Sequence, residues 1–202
     1  MDQYKKVKES IKEYVIGLFA TCQPAGLVYH NLAHTITVVS RTDDIASHYD
    51  LNEKSSFVLF TAAWFHDTGH LFGAAKGHEE RSAGVMADYL GKEYAEEEII
   101  ASARECILAT EFPAHPQSLP AAILCDADLY HLGTEEFLVT DELVKEEFLL
   151  RNGSIPFQWD TATLELLQSH TFFTEYCKAL LQTGKEKNII LVKHKMSYKS
   201  GS

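Results

Sequence analysis

Apolar side chains recur every three or four positions along most of this chain, which is the spacing of helices that bury one face. In the first such segment, residues 3–21, the side chains of Val7, Ile11, Val15 and Leu18 share a face. The same spacing, interrupted by glycine and proline, predicts further helices over residues 30–48, 53–67, 79–90, 95–110, 117–131, 134–151 and 160–183. The alternating pattern of β-strands is missing, so we predict an all-α domain without a central sheet.

The spacing of apolar residues is less informative about the secondary structure of the segments between and after these helices. Residues 72–78 contain two glycines and predict a loop. Residues 189–192 are apolar and fit either a short strand or the end of a docked tail. The final segment, 196–202, is expected to be disordered. No repeat or long linker divides the chain, so we expect one domain over residues 1–202, with C-terminal helices packed on its earlier part.

The composition is that of an ordinary soluble globular protein, with 46% hydrophobic and 23% charged residues among 202. The formal net charge of −11 opposes binding to a nucleic acid polymer, because clustered lysine and arginine bind phosphate backbones. No segment approaches the roughly 20 apolar residues of a membrane span, and the charged N-terminus does not resemble a secretion signal. We therefore expect a cytoplasmic protein without a membrane partner, and we leave a homodimer open.

One histidine, an adjacent His-Asp pair and a distant aspartate form a candidate set of metal ligands, namely His34, His66, Asp67 and Asp128. Imidazole and carboxylate groups together suit a divalent ion such as Mn, Fe, Mg, Co, Ni or Zn, and four ligands leave positions open for water and substrate. Neighbouring residues diverge by about 100° on a regular helix, so both members of the pair can face one ion only where the helix ends. Gly69 is consistent with such an ending.

Two more histidines and a second aspartate lie beside this set. His30 precedes the first ligand by one helical turn, so the two side chains share a face. His70 follows the His-Asp pair by about one turn and can orient the site from behind the ligands. Asp126 and Asp128 are two positions apart and point in different directions on a helix. Only one of them is expected to bind the ion, and their spacing does not choose between them.

The strings around these residues resemble, in this order, the motifs of the HD superfamily of metal-dependent phosphohydrolases. They are Tyr-His-Asn-Leu-Ala-His at 29–34, Phe-His-Asp-Thr-Gly-His at 65–70 and Asp-Ala-Asp-Leu at 126–129, within a resemblance that covers about residues 28–133. It implies a compact helical bundle with the metal site between its central helices. It also implies that Asp128 is the distant ligand, with Asp126 behind the site or facing the substrate.

The first two strings are also similar to motifs of cyclic-nucleotide phosphodiesterases. That similarity implies that His34 binds the metal and that His30 protonates the leaving oxygen. With Asp67 and His70, His30 completes the set of catalytic residues that we expect.

Two further histidines, His78 and His115, lie between the His-Asp pair and the distant aspartate. In two-metal members of the superfamily, histidines in this interval hold a second ion, so the resemblance makes both candidates for a second site. The alternative is a single metal, with His78 capping a helix and His115 exposed. Lys76 and Arg81 lie close to His78 and are candidates for binding the substrate phosphate; otherwise they are solvated surface charges.

These features predict a metal-dependent phosphohydrolase that cleaves a phosphoester or phosphoanhydride bond of a small phosphorylated substrate, with a nucleotide as the expected class. The chain contains no glycine-rich phosphate loop, which argues against ATP-driven work. Two alternatives remain. One is a di-iron oxygenase of the same fold, which needs the second metal. The other is a non-enzymatic ligand-binding regulatory module, against which the presence of all four ligand types argues.

Overall fold

The computed structural model describes residues 4–93, 96–156 and 158–200, and within these ranges it contains helices and no strand. The α-helices are α1 (Lys5–Cys22), α2 (Leu32–Ala46), α3 (Glu53–Phe65), α4 (His78–Glu93), α5 (Glu97–Leu108), α6 (Leu119–Asp128), α7 (Phe137–Asn152), α8 (Trp159–Ser169) and α9 (Glu175–Ser200). Two short 3-10 helices follow α3 and α6, at Thr68–Phe72 and Tyr130–Gly133. The prediction of an all-α fold is confirmed. None of the described helices is long and apolar enough to cross a membrane.

The buried helix at the centre of the fold is α3. Its apolar residues lie on all sides of the helix, and Phe57, Leu59, Ala62 and Phe65 are among those that are buried. A helix that is apolar on every side is a helix surrounded by others, and α3 contacts α1, α2, α4, α5 and α6. Residues at the C-terminal end of α3 therefore lie in the interior of the bundle, where water has little access.

Local signals set the ends of the helices around this centre. The side chain of Asn52 accepts a hydrogen bond from the backbone N–H of Ser55 at 2.8 Å and caps α3. Asn31 caps α2 in the same way, so α2 begins at Leu32 and not at His30. α3 ends immediately before the His-Asp pair, which confirms the predicted ending there.

The C-terminal helices differ from the prediction. The segment 160–183 forms no single helix, because α8 ends at Ser169 and α9 begins at Glu175. Between them the carboxylate of Asp126 accepts hydrogen bonds from the backbone N–H groups of Phe173 and Thr174, both at 2.8 Å. An acceptor from α6 thus satisfies backbone donors at the start of α9, and no local pattern in the sequence could indicate it.

The last helix also runs further than predicted. Residues 189–192 belong to α9 and are neither a strand nor the end of a tail. Residues 196–200 also belong to α9. Gly184 does not end the helix, because its missing side chain leaves room for the backbone of Gly133, with which a Cβ would overlap. Residues 3, 95, 201 and 202, which fall in predicted segments, lie outside the described residues.

Candidate metal centre

The four predicted ligands converge at the inner ends of three helices. His34 lies on α2, His66 and Asp67 follow α3, and Asp128 ends α6. One ligand atom from each side chain lies within 4.8 Å of the others. His34 Nε2 is 3.2 Å from Asp67 Oδ2 and 3.3 Å from Asp128 Oδ1. We call these four residues the first cluster.

The donor atoms of the first cluster fit a bound cation. His66 Nδ1 lies 2.8 Å from the carbonyl oxygen of Ala63 and must donate its hydrogen there, so the lone pair is on Nε2. The Nε2 atoms of His34 and His66 and the Oδ2 atom of Asp67 are buried without a hydrogen-bond partner. Buried polar atoms normally have partners. A divalent ion would provide one for all of these atoms.

The electrostatics of the first cluster point the same way. Burial lowers the pKa of His34, but the nearby carboxylates of Asp128 and Asp67 outweigh burial and raise it to about 10. Burial raises the pKa of Asp67, but the charge of His66 and the nearby rings of His34 and His78 hold it well below the usual range. The buried carboxylate of Asp67 and the partly buried carboxylate of Asp128 therefore keep positive charge close to them, and a metal that binds here displaces protons.

The other oxygen of Asp67 faces three more histidines. Asp67 Oδ1 is 3.3 Å from His78 Nε2 and 3.9 Å from His70 Nε2. The ring of His70 stacks between those of His30, at 4.2 Å, and His78, at 3.9 Å. We call His30, His70 and His78 the second cluster. His78 Nδ1 lies 2.9 Å from the carbonyl oxygen of Ala75, so its Nε2 also carries a lone pair toward Asp67.

His115 is not part of either cluster, which corrects its assignment to a second metal. It lies in the loop between α5 and α6 and lines a surface groove with Arg104 and Glu111. That groove shares no residue with the two clusters. His115 lies between the two motifs in the sequence, but its loop packs along α5 and so lies away from the metal ligands.

The phosphate-binding role predicted for Arg81 and Lys76 is also not supported by their contacts. The guanidinium of Arg81 donates to the carbonyl oxygens of Gly69, at 3.1 Å, and Lys76, at 3.0 Å, and also to that of Ala74. Arg81 therefore closes the loop before α4, and three of its five N–H groups are already used in doing so. The side chain of Lys76 is exposed on that loop.

Asp126 is likewise a structural residue and lies neither behind the metal ligands nor facing the substrate. It is fully buried and also accepts a hydrogen bond of 2.6 Å from the hydroxyl of Thr174. Burial raises its pKa, although these hydrogen bonds oppose the rise. The geometry thus places Asp128, and not Asp126, at the cluster.

Two residues of α7 complete the site and were not found in the sequence. Glu147 is buried and accepts hydrogen bonds from His30 Nδ1 at 2.7 Å and from the backbone N–H groups of Tyr29 and His30. Burial raises the pKa of Glu147, but these hydrogen bonds lower it to about 2. Arg151 donates to His70 Nδ1 at 2.8 Å and to the carbonyl oxygen of Gly73 at 2.7 Å.

A cavity of about 240 Å³ opens beside the first cluster. His34, Asp128, Tyr130 and Arg41 are among the residues that line it. The guanidinium of Arg41 lies over the ring of Tyr130, 4.4 Å from its centroid. The arrangement provides an aromatic and cationic wall next to the metal ligands.

The fold and the two clusters define a helical domain with a His/Asp metal centre. The chain belongs to the HD domain family, whose model matches residues 31–133, about half of its length. The family that the sequence motifs predict is therefore confirmed.

A solved structure is similar over nearly the whole chain. It is described as a predicted HD superfamily hydrolase from an uncultured Thermotogales bacterium. The TM-score is 0.58 at 20% sequence identity, over 94% of this chain and 91% of that chain. At this identity the likeness concerns the fold. No curated protein matches.

Proposed function

We propose that this protein is a metal-dependent phosphohydrolase that cleaves a phosphoester or phosphoanhydride bond of a small phosphorylated substrate, with a nucleotide as the preferred class. The observation that carries the proposal is the first cluster, in which four ligand atoms within 4.8 Å include buried lone pairs without partners. Membership of the HD domain family supports a metal centre, and the description of the similar structure as a hydrolase supports the reaction class.

His34, His66, Asp67 and Asp128 would hold a divalent ion, which can be Mn, Fe, Mg, Co, Ni or Zn. When bound, such an ion lowers the pKa of a coordinated water and polarises the phosphoryl group of the substrate. His66 and Asp67 are buried, which shields these two ligands from bulk water and strengthens the charge interactions around them.

His30 is placed to deliver the proton that the leaving oxygen requires. Its Nδ1–H donates to Glu147, so Nε2 is the atom that remains for the substrate. The imidazole is 24% exposed, whereas the carboxylate of Glu147 is 4% exposed. Glu147 thus orients the ring from behind, so that Nε2 can pass a proton to the leaving oxygen.

The organic part of the substrate would occupy the cavity beside His34 and Asp128. A volume of about 240 Å³ supports a small substrate over a polymer. The aromatic ring of Tyr130 and the guanidinium of Arg41 suit a planar or anionic group, and this is what favours a nucleotide.

One observation favours a second candidate function, the di-iron oxygenase. The two oxygens of Asp67 face separate clusters, and His78 offers a second lone pair at 3.3 Å. A bridging carboxylate is what a two-metal site needs. Iron content of two per chain with oxygen consumption and no phosphate release would select this function over the phosphohydrolase.

The proposal is tested by stripping the purified protein of metal and restoring Mn, Mg, Fe, Co, Ni or Zn one at a time. Each form is screened against nucleotides and phosphoesters for phosphate release. We expect turnover that depends on the added metal, is lost in His34→Ala and is retained in the matched control His115→Ala. Specific ligand binding without turnover in every metal form would instead identify a regulatory module.

A further inference from the structure

The side chain of Arg151 determines which nitrogen of His70 carries the proton. Arg151 Nη1 lies 2.8 Å from His70 Nδ1. A guanidinium can only donate hydrogen bonds. His70 Nδ1 must therefore accept with its lone pair, and the single N–H of the ring is on Nε2.

Two other histidines next to Asp67, His66 and His78, have the opposite arrangement. His66 Nδ1 and His78 Nδ1 each face a backbone carbonyl oxygen, at 2.8 and 2.9 Å, and must donate to it. Their Nε2 atoms then have lone pairs, which is the form that binds a metal. His70 presents a hydrogen at the same ring position. Although its ligand atom lies within 4.8 Å of those of His30 and Asp67, it is unsuited to metal binding.

The Nε2–H group of His70 has no acceptor of its own. His70 is 2% exposed, and its Nε2 has no hydrogen-bond partner. The nearest carboxylate oxygen, Asp67 Oδ1, is 3.9 Å away, too far for a hydrogen bond. Stacking between His30 and His78 fixes the plane of the ring. A buried donor without an acceptor is costly unless a ligand supplies one.

We propose that His70 is a catalytic residue that donates a hydrogen bond from Nε2 to an anionic oxygen of the bound substrate, and that Arg151 is the positioning residue that holds it in this tautomer. The identity of the oxygen as a phosphoryl oxygen rests on the proposed function. With His70 and the proton donor His30 excluded, His78 is the candidate ligand near Asp67 Oδ1.

The tautomer is measured directly by two-dimensional ¹H–¹⁵N correlation spectra of the histidine rings in the metal-free protein and in its Mg²⁺ form. We expect the proton of His70 on Nε2 in both forms, and those of His66 and His78 on Nδ1 in the Mg²⁺ form. In Arg151→Lys, which still donates, the tautomer of His70 should persist; in Arg151→Met it should become mixed. A proton on Nδ1 of His70 in the wild-type protein would overturn the proposal. This readout is independent of any enzymatic activity.

The functional part is tested with His70→Phe, which keeps a stacked ring and removes both nitrogens. We expect the metal content of the wild-type protein and a loss of turnover of about 10²-fold, as for removal of one donor to a developing anion. A lower metal content would show that His70 is a metal ligand. Unchanged turnover would show that its ring only packs between its neighbours and makes no contact that matters for the reaction. If the variant does not fold, Arg151→Met provides the same comparison of metal content with rate. If the wild-type protein turns over no phosphoester, the proposed function fails, while the tautomer and metal content still test the assignment of His70 as a donor.

Discussion

The carboxylate of Asp67 divides its two oxygens between the two clusters. Oδ2 lies 3.2 Å from His34 Nε2 and 3.3 Å from His66 Nε2, and Oδ1 lies 3.3 Å from His78 Nε2. Histidines that look alike in the sequence therefore have different roles. Each role follows from the partner of the Nδ1 atom, which is a backbone carbonyl for His66 and His78, Glu147 for His30 and Arg151 for His70.

At this scale we predict that His30→Ala retains the ion of the first cluster and loses about 10²–10⁴-fold in turnover, the usual contribution of a general acid. The reason is that His30 Nε2 is the atom left for the substrate once Nδ1 binds Glu147. Steady-state kinetics and metal analysis of the same preparations check it. Glu147→Gln, which can still accept a hydrogen bond, should lose less rate. Loss of the first ion in His30→Ala would reassign this residue as a ligand.

The residues of the first cluster could be predicted because each lies in a short string of recognisable composition. Glu147 and Arg151 could not, because they lie 117 and 81 positions from the histidines that they contact. Their own spacing of four is that of an exposed ion pair on a helix. His115 was instead wrongly included in the predicted site, because a position between two motifs in the sequence does not determine the position in the fold.

At the scale of elements, the contact between the 3-10 helix Thr68–Phe72 and α4 sets the spacing of the two clusters. A Cβ on Gly69 would overlap the carbonyl oxygen of His78 and lie 2.8 Å from the backbone nitrogen of Ser82. The backbone N–H of Gly69 donates to the hydroxyl of Ser82 at 2.8 Å. Only glycine allows this approach, which brings His78 next to Asp67.

Gly69→Ala is therefore expected to push α4 away and to lower the free energy of unfolding by about 1–3 kcal/mol, as overpacking does. Urea denaturation of the metal-free protein measures it. The matched control is Gly84→Ala on α4, where a Cβ meets no atom within 4 Å. That change should stabilise the helix by roughly 0.5–1 kcal/mol. Equal effects of the two substitutions would contradict the assigned contact.

Most helices could be predicted from periodicity and caps, and the exceptions share one cause. The break between α8 and α9 depends on the Asp126 carboxylate, and the continuation of α9 through Gly184 depends on Gly133. Both partners come from α6 and from the 3-10 helix that follows it. A pattern within a segment cannot report a contact with a distant one.

At the scale of the whole molecule, a buried histidine ties stability to pH. His170 is 3% exposed, and neither ring nitrogen has a hydrogen-bond partner. Burial, followed by the charges of Lys185 and His131, lowers its pKa from 6.5 to about 4. The unfolded chain then binds a proton at His170 between these two pH values and the folded chain does not, so stability rises with pH in this window.

We predict that the free energy of unfolding falls by about 3 kcal/mol because of His170 as the pH is lowered from 6.5 to 4. In His170→Leu this contribution should be absent, so the pH dependence of unfolding becomes shallower by that amount. Chemical denaturation across this pH range measures both proteins in the metal-free state. Identical pH profiles for the two proteins would refute the assignment.

The outward face of α7 leads us to expect a homodimer. It exposes large apolar side chains between 37% and 67%, namely Leu138, Val139, Leu143, Leu149 and Leu150. In an antiparallel pairing of two copies of α7 about a twofold axis, the apolar residues at one end meet those at the other. Such a pairing would make the apolar face complementary to itself.

Sedimentation velocity tests this expectation. The wild-type protein should be a dimer, Val139→Glu should be a monomer, and the control Leu191→Glu, at an exposed apolar position on α9, should remain a dimer. A wild-type protein that is monomeric at all concentrations tested would contradict the expected homodimer.

The central claim is that His34, His66, Asp67 and Asp128 together hold a divalent ion, and calorimetric titration of the metal-free protein with Mn²⁺ tests it most directly. We predict at least one ion bound per chain in the wild-type protein and in His115→Ala. In Asp67→Ala we predict loss of that binding with the helical circular-dichroism spectrum unchanged, because Asp67 faces both clusters without supporting any helix. Mn²⁺ binding to Asp67→Ala with wild-type affinity and stoichiometry would contradict the claim.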